Sequence, residues 1–141
     1  YAAMHLMAPV VAWGLGSCLL HVLLLACGAP VFHLVLETYG LGCWLALLTV
    51  VPCAAIHGCD GSRFLDICIL GNGMQRQDTV CHHVFWGTIV GCWLGAVPIP
   101  LDWDAPWQRW PTPCLWGSAI GALGALSAAI GASKKVKQVG S

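Results

Sequence analysis

The chain has 141 residues, 58% of them hydrophobic and 9% charged, and its six basic and six acidic side chains cancel to zero net charge with histidine neutral. A soluble domain carries roughly 25% charged residues, so this is a membrane composition, and the balanced charge excludes a nucleic-acid or anionic-lipid partner because no basic face exists to neutralise phosphates.

The charges are also clustered. Only Glu37 falls between Tyr1 and Cys59, and none falls in residues 79–101 or 110–133. A hydrocarbon core needs roughly 20 mostly apolar residues per helical crossing, and four runs approach that length: about 3–27, 34–56, 84–99 and 114–132. The expected fold class is all-α, a single polytopic transmembrane helix bundle of about four helices over residues 1–141. The first run lacks the basic flank of a secretory signal, and an opening Tyr1 rather than Met is compatible with a further helix upstream.

The first run carries His5, Pro9 and His21. Pro9 lies in its first turns, where a missing amide donor is tolerated best. Cys27-Gly-Ala-Pro30 then reads as a short turn, which makes the first two helices antiparallel neighbours. The second run opens with His33 and Glu37, four residues apart and on one face of a helix. Polar groups at membrane depth raise the question of function, and His21, His33 and Glu37 together define the alternative reading, a small polytopic transporter or lipid-handling protein. A hydrogen-bonded pair without chemistry is the simpler account of His33 and Glu37. Pro52 bends or ends the run.

Residues 57–83 form the one extended polar loop, nearly neutral and water-facing through Asp60, Arg63, Asp66, Arg76 and Asp78. Asp60-Gly-Ser-Arg63 approximates the opening of the CDP-alcohol phosphotransferase motif, but it is one residue short, lacks the alanine and has no later pair of aspartates. His57, Cys59, Cys81, His82 and His83 are zinc-ligand types without zinc-finger or ribbon spacing, so no metal is assigned. The nine cysteines contain no Cys-x-x-Cys pair and lie mostly in or beside apolar runs, where cysteine packs as a small thiol.

Gly87, Gly91 and Gly95 recur every fourth residue along the third run, the small-xxx-small stripe that lets helices approach closely in lipid. Gly117, Gly121 and Gly124, with Ala125, Ala128 and Ala132, repeat the device in the fourth. The tail 133–141 holds Lys134, Lys135 and Lys137, a positive charge that usually stays cytosolic. Four crossings then put the connection between the third and fourth helices on the far side. Asn72 is followed by Gly-Met, so no glycosylation acceptor exists to check that orientation.

That connection, the Pro/Trp loop of residues 98–113, is the most distinctive stretch. It holds Pro98, Pro100, Asp102, Trp103, Asp104, Pro106, Trp107, Arg109, Trp110 and Pro111. Its indoles and Trp116 suit an interfacial aromatic belt. In an extended segment Asp102 and Asp104 point the same way, with Arg109 as the nearest candidate partner. An enzyme would need more oxygen ligands, or a nucleophile and base, than the loop supplies. A stiff clamp that joins two helices or docks a partner is the expected role of Pro100, Asp102, Trp103, Asp104, Trp107, Arg109 and Trp110, and no catalytic residue is assigned.

The run Gly91-Cys-Trp-Leu-Gly-Ala-Val-Pro-Ile-Pro-Leu-Asp-Trp-Asp-Ala-Pro-Trp-Gln-Arg-Trp-Pro111 resembles the signature of the PIG-F family of glycosylphosphatidylinositol (GPI) biosynthesis proteins. Cys27-Gly-Ala-Pro30, Leu36-Glu-Thr38 and Val51-Pro-Cys53 are similar to its middle helices, so the resemblance runs from about Cys27 to the C-terminus. It implies a multi-pass endoplasmic reticulum protein, of about six helices in the family, that binds and stabilises the GPI ethanolamine-phosphate transferases PIG-O and PIG-G. The metal-dependent chemistry would belong to that partner, with no cofactor in this chain. Two departures stand out: the chain looks about two helices shorter at the N-terminus, and Ala105 stands where the family often has a basic residue.

Overall fold

The computed structural model describes residues 2–30, 32–72, 75–101 and 103–139, and side-chain surroundings for those between 7 and 132. Its elements are α1 (Ala2–Ala26), α2 (Val35–His57), α3 (Gly61–Phe64, running on as a π-helical turn over Leu65–Leu70), α4 (Arg76–Ala96), a 3₁₀ turn (Pro106–Gln108) and α5 (Thr112–Val139). No strand occurs among the described residues. Segments of α1, α2 and α5 (Met7–Ala26, Val35–His57 and Thr112–Ala132) are long and apolar enough to cross a membrane. The fourth expected crossing, α4, falls short of that criterion because its first two turns carry Arg76, Asp78, His82 and His83, and its apolar part begins only at Val84.

The polar stretch 57–83 is therefore not one loop. Asp60 starts α3 by accepting from the Ser62 and Arg63 N–H groups at 3.0 and 3.4 Å and from the Ser62 hydroxyl at 2.7 Å. Those bonds, the hydroxyl first, hold its carboxyl below the usual range. Gln75 and Asp78 start α4 as a reciprocal capping box, with the Gln75 N–H donating to Asp78 Oδ2 at 3.1 Å. Such boxes satisfy the orphan N–H groups of a first turn, so α4 begins eight residues before the sequence pattern placed it.

Asp78 itself is buried, contrary to its expected place in a water-facing loop. Its other oxygen lies 2.8 Å from His57 Nε2, so one carboxylate both caps α4 and ties down the last residue of α2. The Gln75 N–H and then the His57 imidazole hold the Asp78 carboxyl below the usual range, against the opposing effect of burial. His82 Nδ1–H donates to the Ile67 carbonyl at 2.9 Å, and Cys53, Ile67, Cys68 and Cys81 pack with Phe64 and Phe85 into a small core at this end.

The helices run alternately up and down. α2 is central, in contact with α1 on one side and with α4 and α5 on the other, and α1 touches no other helix among the described elements. Gly42 faces the backbone of α1, where an added Cβ would meet Ser17 O at 3.2 Å and His21 N at 3.3 Å. Trp13 Nε1–H reaches across to the Cys43 carbonyl at 2.9 Å.

The α4–α5 contact is the closest. A Cβ on Gly91 would stand 3.0 Å from Gly121 Cα and nearer still to the Gly117 carbonyl, and one on Gly117 would stand 3.0 Å from Gly95 Cα. Gly87 meets Gly121 and Ala125, and Gly95 meets the backbone of Pro113 and Cys114. Any side chain at these positions would force the backbones apart, which is why glycine recurs there. Gly124, expected among the small residues that cover more than one face of this helix, faces open space within the chain.

Candidate functional site

The turn after α1, the start of α2, the end of α4 and the start of α5 meet at one end of the bundle, and the Pro/Trp loop closes that end as a cap. The opposite end gathers the start of α1, the α3 segment and the far end of α5. There Cys59 Sγ–H donates to the Ala8 carbonyl at 2.9 Å.

Gln108 organises the cap. It is buried, at 8% exposure, on the 3₁₀ turn opened by Pro106. Its amide NH₂ donates to the carbonyls of Pro98 at 2.7 Å and Leu101 at 2.9 Å, and its Oε1 accepts from the Ala105 N–H at 2.9 Å. One side chain thus supplies the backbone pairing that the loop's prolines deny it. Trp110 fixes the cap to the bundle, with its Nε1–H donating to Thr38 Oγ1 at 3.0 Å while the Thr38 hydroxyl donates to Leu34 O at 2.9 Å. Beneath it Trp110 joins Leu41, Leu45, Cys114 and Ile99 in the larger core.

The other residues expected in this loop point elsewhere. Trp103 and Trp107 are exposed with ring centroids 6.1 Å apart. Pro100, Asp104 and Arg109 are exposed as well, and Asp104 holds a positive φ of 50°, a conformation that aspartate tolerates better than most residues. Asp104 and Arg109 form no salt bridge with each other, but both line a depression of about 290 Å³ on the cap, with Ile99, Leu101 and Ala105. Asp102 lies outside the described residues.

His33 and Glu37 also lie at this end, exposed, with His33 in the bend before α2 and Glu37 in its first turn. A helical i, i+4 pairing does not arise, because α2 starts only at Val35. His21 packs edge-on to Tyr39 at 5.6 Å, and its Nδ1 is buried without a hydrogen-bond partner. The three groups do not converge on a polar path. The imidazoles and thiols of the 57–83 stretch are likewise dispersed: His57 serves Asp78, His82 serves Ile67, and His83 Nδ1–H donates to Thr79 O at 2.7 Å. No group of three metal-ligand side chains converges among the described residues.

Below the cap, α4 and α5 turn apolar stripes outward. Trp86, Val90 and Trp93 recur at helical spacing on α4, and Trp116, Ile120 and Leu123 on α5, with Trp93 77% and Trp116 67% exposed. The glycine stripes face each other; these larger side chains face away.

The sequence profile of the GPI biosynthesis protein family Pig-F matches residues 2–130. The chain belongs to that family. Among its relatives, a mouse protein described as "GPI ethanolamine phosphate transferase, stabilizing subunit" is 36% identical over 78% of this chain and 51% of its own length. The human protein of the same description is 35% identical over 75% of this chain and 48% of its own length. A Neurospora crassa protein described as glycosylphosphatidylinositol anchor biosynthesis protein 11 is 41% identical over 68% of this chain and 34% of its own. The chain therefore spans about half the length of its mouse and human relatives. No solved structure matches it.

Proposed function

We propose that this Pig-F family chain is a non-catalytic, multi-pass subunit of the endoplasmic reticulum membrane that binds and stabilises a GPI ethanolamine-phosphate transferase of the PIG-O or PIG-G type. The observation that carries the reading is the similarity, over three quarters of this chain, to mouse and human proteins described as stabilizing subunits of that transferase. The metal-dependent transfer chemistry belongs to the partner, and this chain contributes helix surface.

The packing supports such a role and revises how it would be exercised. The α4 and α5 glycine stripes are consumed inside the chain, so they build the subunit rather than grip the partner. The surfaces left for a partner are the outward stripes of α4 and α5 and the exposed tip of the cap. With Lys134, Lys135 and Lys137 on the cytosolic side, the cap faces the lumen.

The test is co-purification of the transferase with tagged chain from native membranes. Trp103→Ala on the cap tip and Trp93→Ala on the α4 stripe leave the internal packing intact and are expected to lower transferase recovery, singly or together. Wild-type recovery in the double variant would overturn the assignment of these surfaces.

A further inference from the structure

The cap also carries a small concavity that the subunit role does not use. Its volume of about 290 Å³ falls just below the roughly 300–1,000 Å³ range of small-molecule sites, which suits a polar headgroup rather than a whole lipid. A carboxylate, Asp104, and a guanidinium, Arg109, share its lining without forming a salt bridge with each other. The wall between them is rigid, because Gln108 spends its amide on Pro98, Leu101 and Ala105.

Its depth is set by its neighbours. Trp103 adjoins Asp104 and Trp107 adjoins Pro106, and both indoles are exposed; amphipathic rings of this kind settle at headgroup level. Val97, where α4 passes into the cap, and Trp93 and Trp116 just below it, are exposed apolar groups that belong in acyl chains. The concavity therefore opens where phospholipid headgroups lie.

Opposite charges in one concavity at that depth call for a zwitterion. We infer that the Asp104/Arg109 depression is a binding site for a phosphoethanolamine headgroup, with the phosphate on Arg109 and the ammonium on Asp104. A guanidinium presents paired N–H donors that match phosphate oxygens. An ammonium brings both a positive charge and N–H donors to a carboxylate, whereas a choline headgroup has no N–H donor and the neutral glycerol of phosphatidylglycerol offers hydroxyl donors without a charge. The site needs no bound transferase, so it stands or falls separately from the subunit role.

Native mass spectrometry of the purified chain in detergent, with equal amounts of phosphatidylethanolamine, phosphatidylcholine and phosphatidylglycerol of matched acyl chains, tests it. Phosphatidylethanolamine should be retained preferentially. Arg109→Gln and Asp104→Asn should each cut that retention roughly tenfold, the loss expected for one charge-assisted hydrogen bond, and Arg109→Lys should restore part of it. Asparagine tolerates the positive φ at position 104, so Asp104→Asn keeps the test open if Arg109→Gln fails to fold. Soluble O-phosphoethanolamine separates the sources: displacement of the lipid shows that the free headgroup suffices, and failure to displace shows that the lipid form is required, either result upholding the site. Equal retention of the three lipids, or unchanged retention in both charge variants, would overturn it.

Discussion

At the scale of single residues, two polar side chains that the sequence gives no reason to single out hold the two ends of the bundle. Gln108 sits among tryptophans and prolines that draw attention to themselves, yet its three hydrogen bonds shape the loop. An amide's role depends on which carbonyls a loop leaves unpaired, and that is fixed only by the folded path. Gln108→Leu should lower stability by about 2–3 kcal/mol, since it strands three backbone groups of partly satisfied polarity, and a thermal melt in detergent would register the drop. A melt indistinguishable from wild type would show that water replaces the side chain without cost.

Asp78 is the counterpart at the other end. Its carboxyl is held low by the Gln75 N–H and by His57, so its stabilisation is fully present above the unfolded aspartate value of about 3.9 and is lost as pH falls through the depressed folded value. Wild type should therefore lose melting temperature more steeply below about pH 4 than Asp78→Asn does. Parallel pH profiles for the two proteins would contradict this role. The sequence showed Asp78 three residues after Gln75 but offered no sign that His57, twenty-one positions away, closes the same pair.

At the scale of elements, the helices were legible where apolar runs were uninterrupted and obscure where polar residues start a helix. The boundaries of α2 and α5 lie within three residues of the expected 34–56 and 114–132 at every end but one, the exception being α5, which runs on into the basic tail. α4 was legible only from its apolar half, because its opening turns are rich in polar residues and read as loop. Glycine spacing marked the α4–α5 contact, and it missed the α1–α2 contact, where Gly16 faces Val50 and Gly42 faces Ser17, because no four-residue stripe continues there. A paired substitution separates these positions. Gly91→Leu must push α4 off the α5 backbone and should reduce folded yield severely, by several kcal/mol, whereas Gly124→Leu adds an apolar side chain to open space and should be tolerated. Size-exclusion profiles of the two variants would decide it, with similar losses for both counting against the interface described.

At the scale of the whole molecule, the bundle has two chemically distinct ends. One is the aromatic, proline-stiffened cap, and the other is the capped α3 segment with the start of α1, beside His57 of α2 and His82 of α4. Native cysteines report on their sidedness. Cys27 is exposed at the cap end and Cys59 at the other. A membrane-impermeant maleimide applied to sealed microsomes should label Cys59 and should reach Cys27 only after permeabilisation; the reverse pattern would invert the orientation and place the cap in the cytosol.

The family's distinctive loop was fully visible in the sequence, because its indoles and prolines stand out against an apolar background. What it does physically was only partly visible, since Trp110 turns inward to Thr38 while Trp103 and Trp107 turn out, and alternation along an irregular loop does not predict which. We propose that this chain keeps a transferase in place. The most direct test is the amount of GPI ethanolamine-phosphate transferase in membranes depleted of this chain and then resupplied with it, measured together with what co-purifies. The transferase is expected to fall on depletion, recover on resupply and appear as the largest co-purifying protein. A chain that purifies alone, with transferase levels unchanged by its loss, would contradict the proposal.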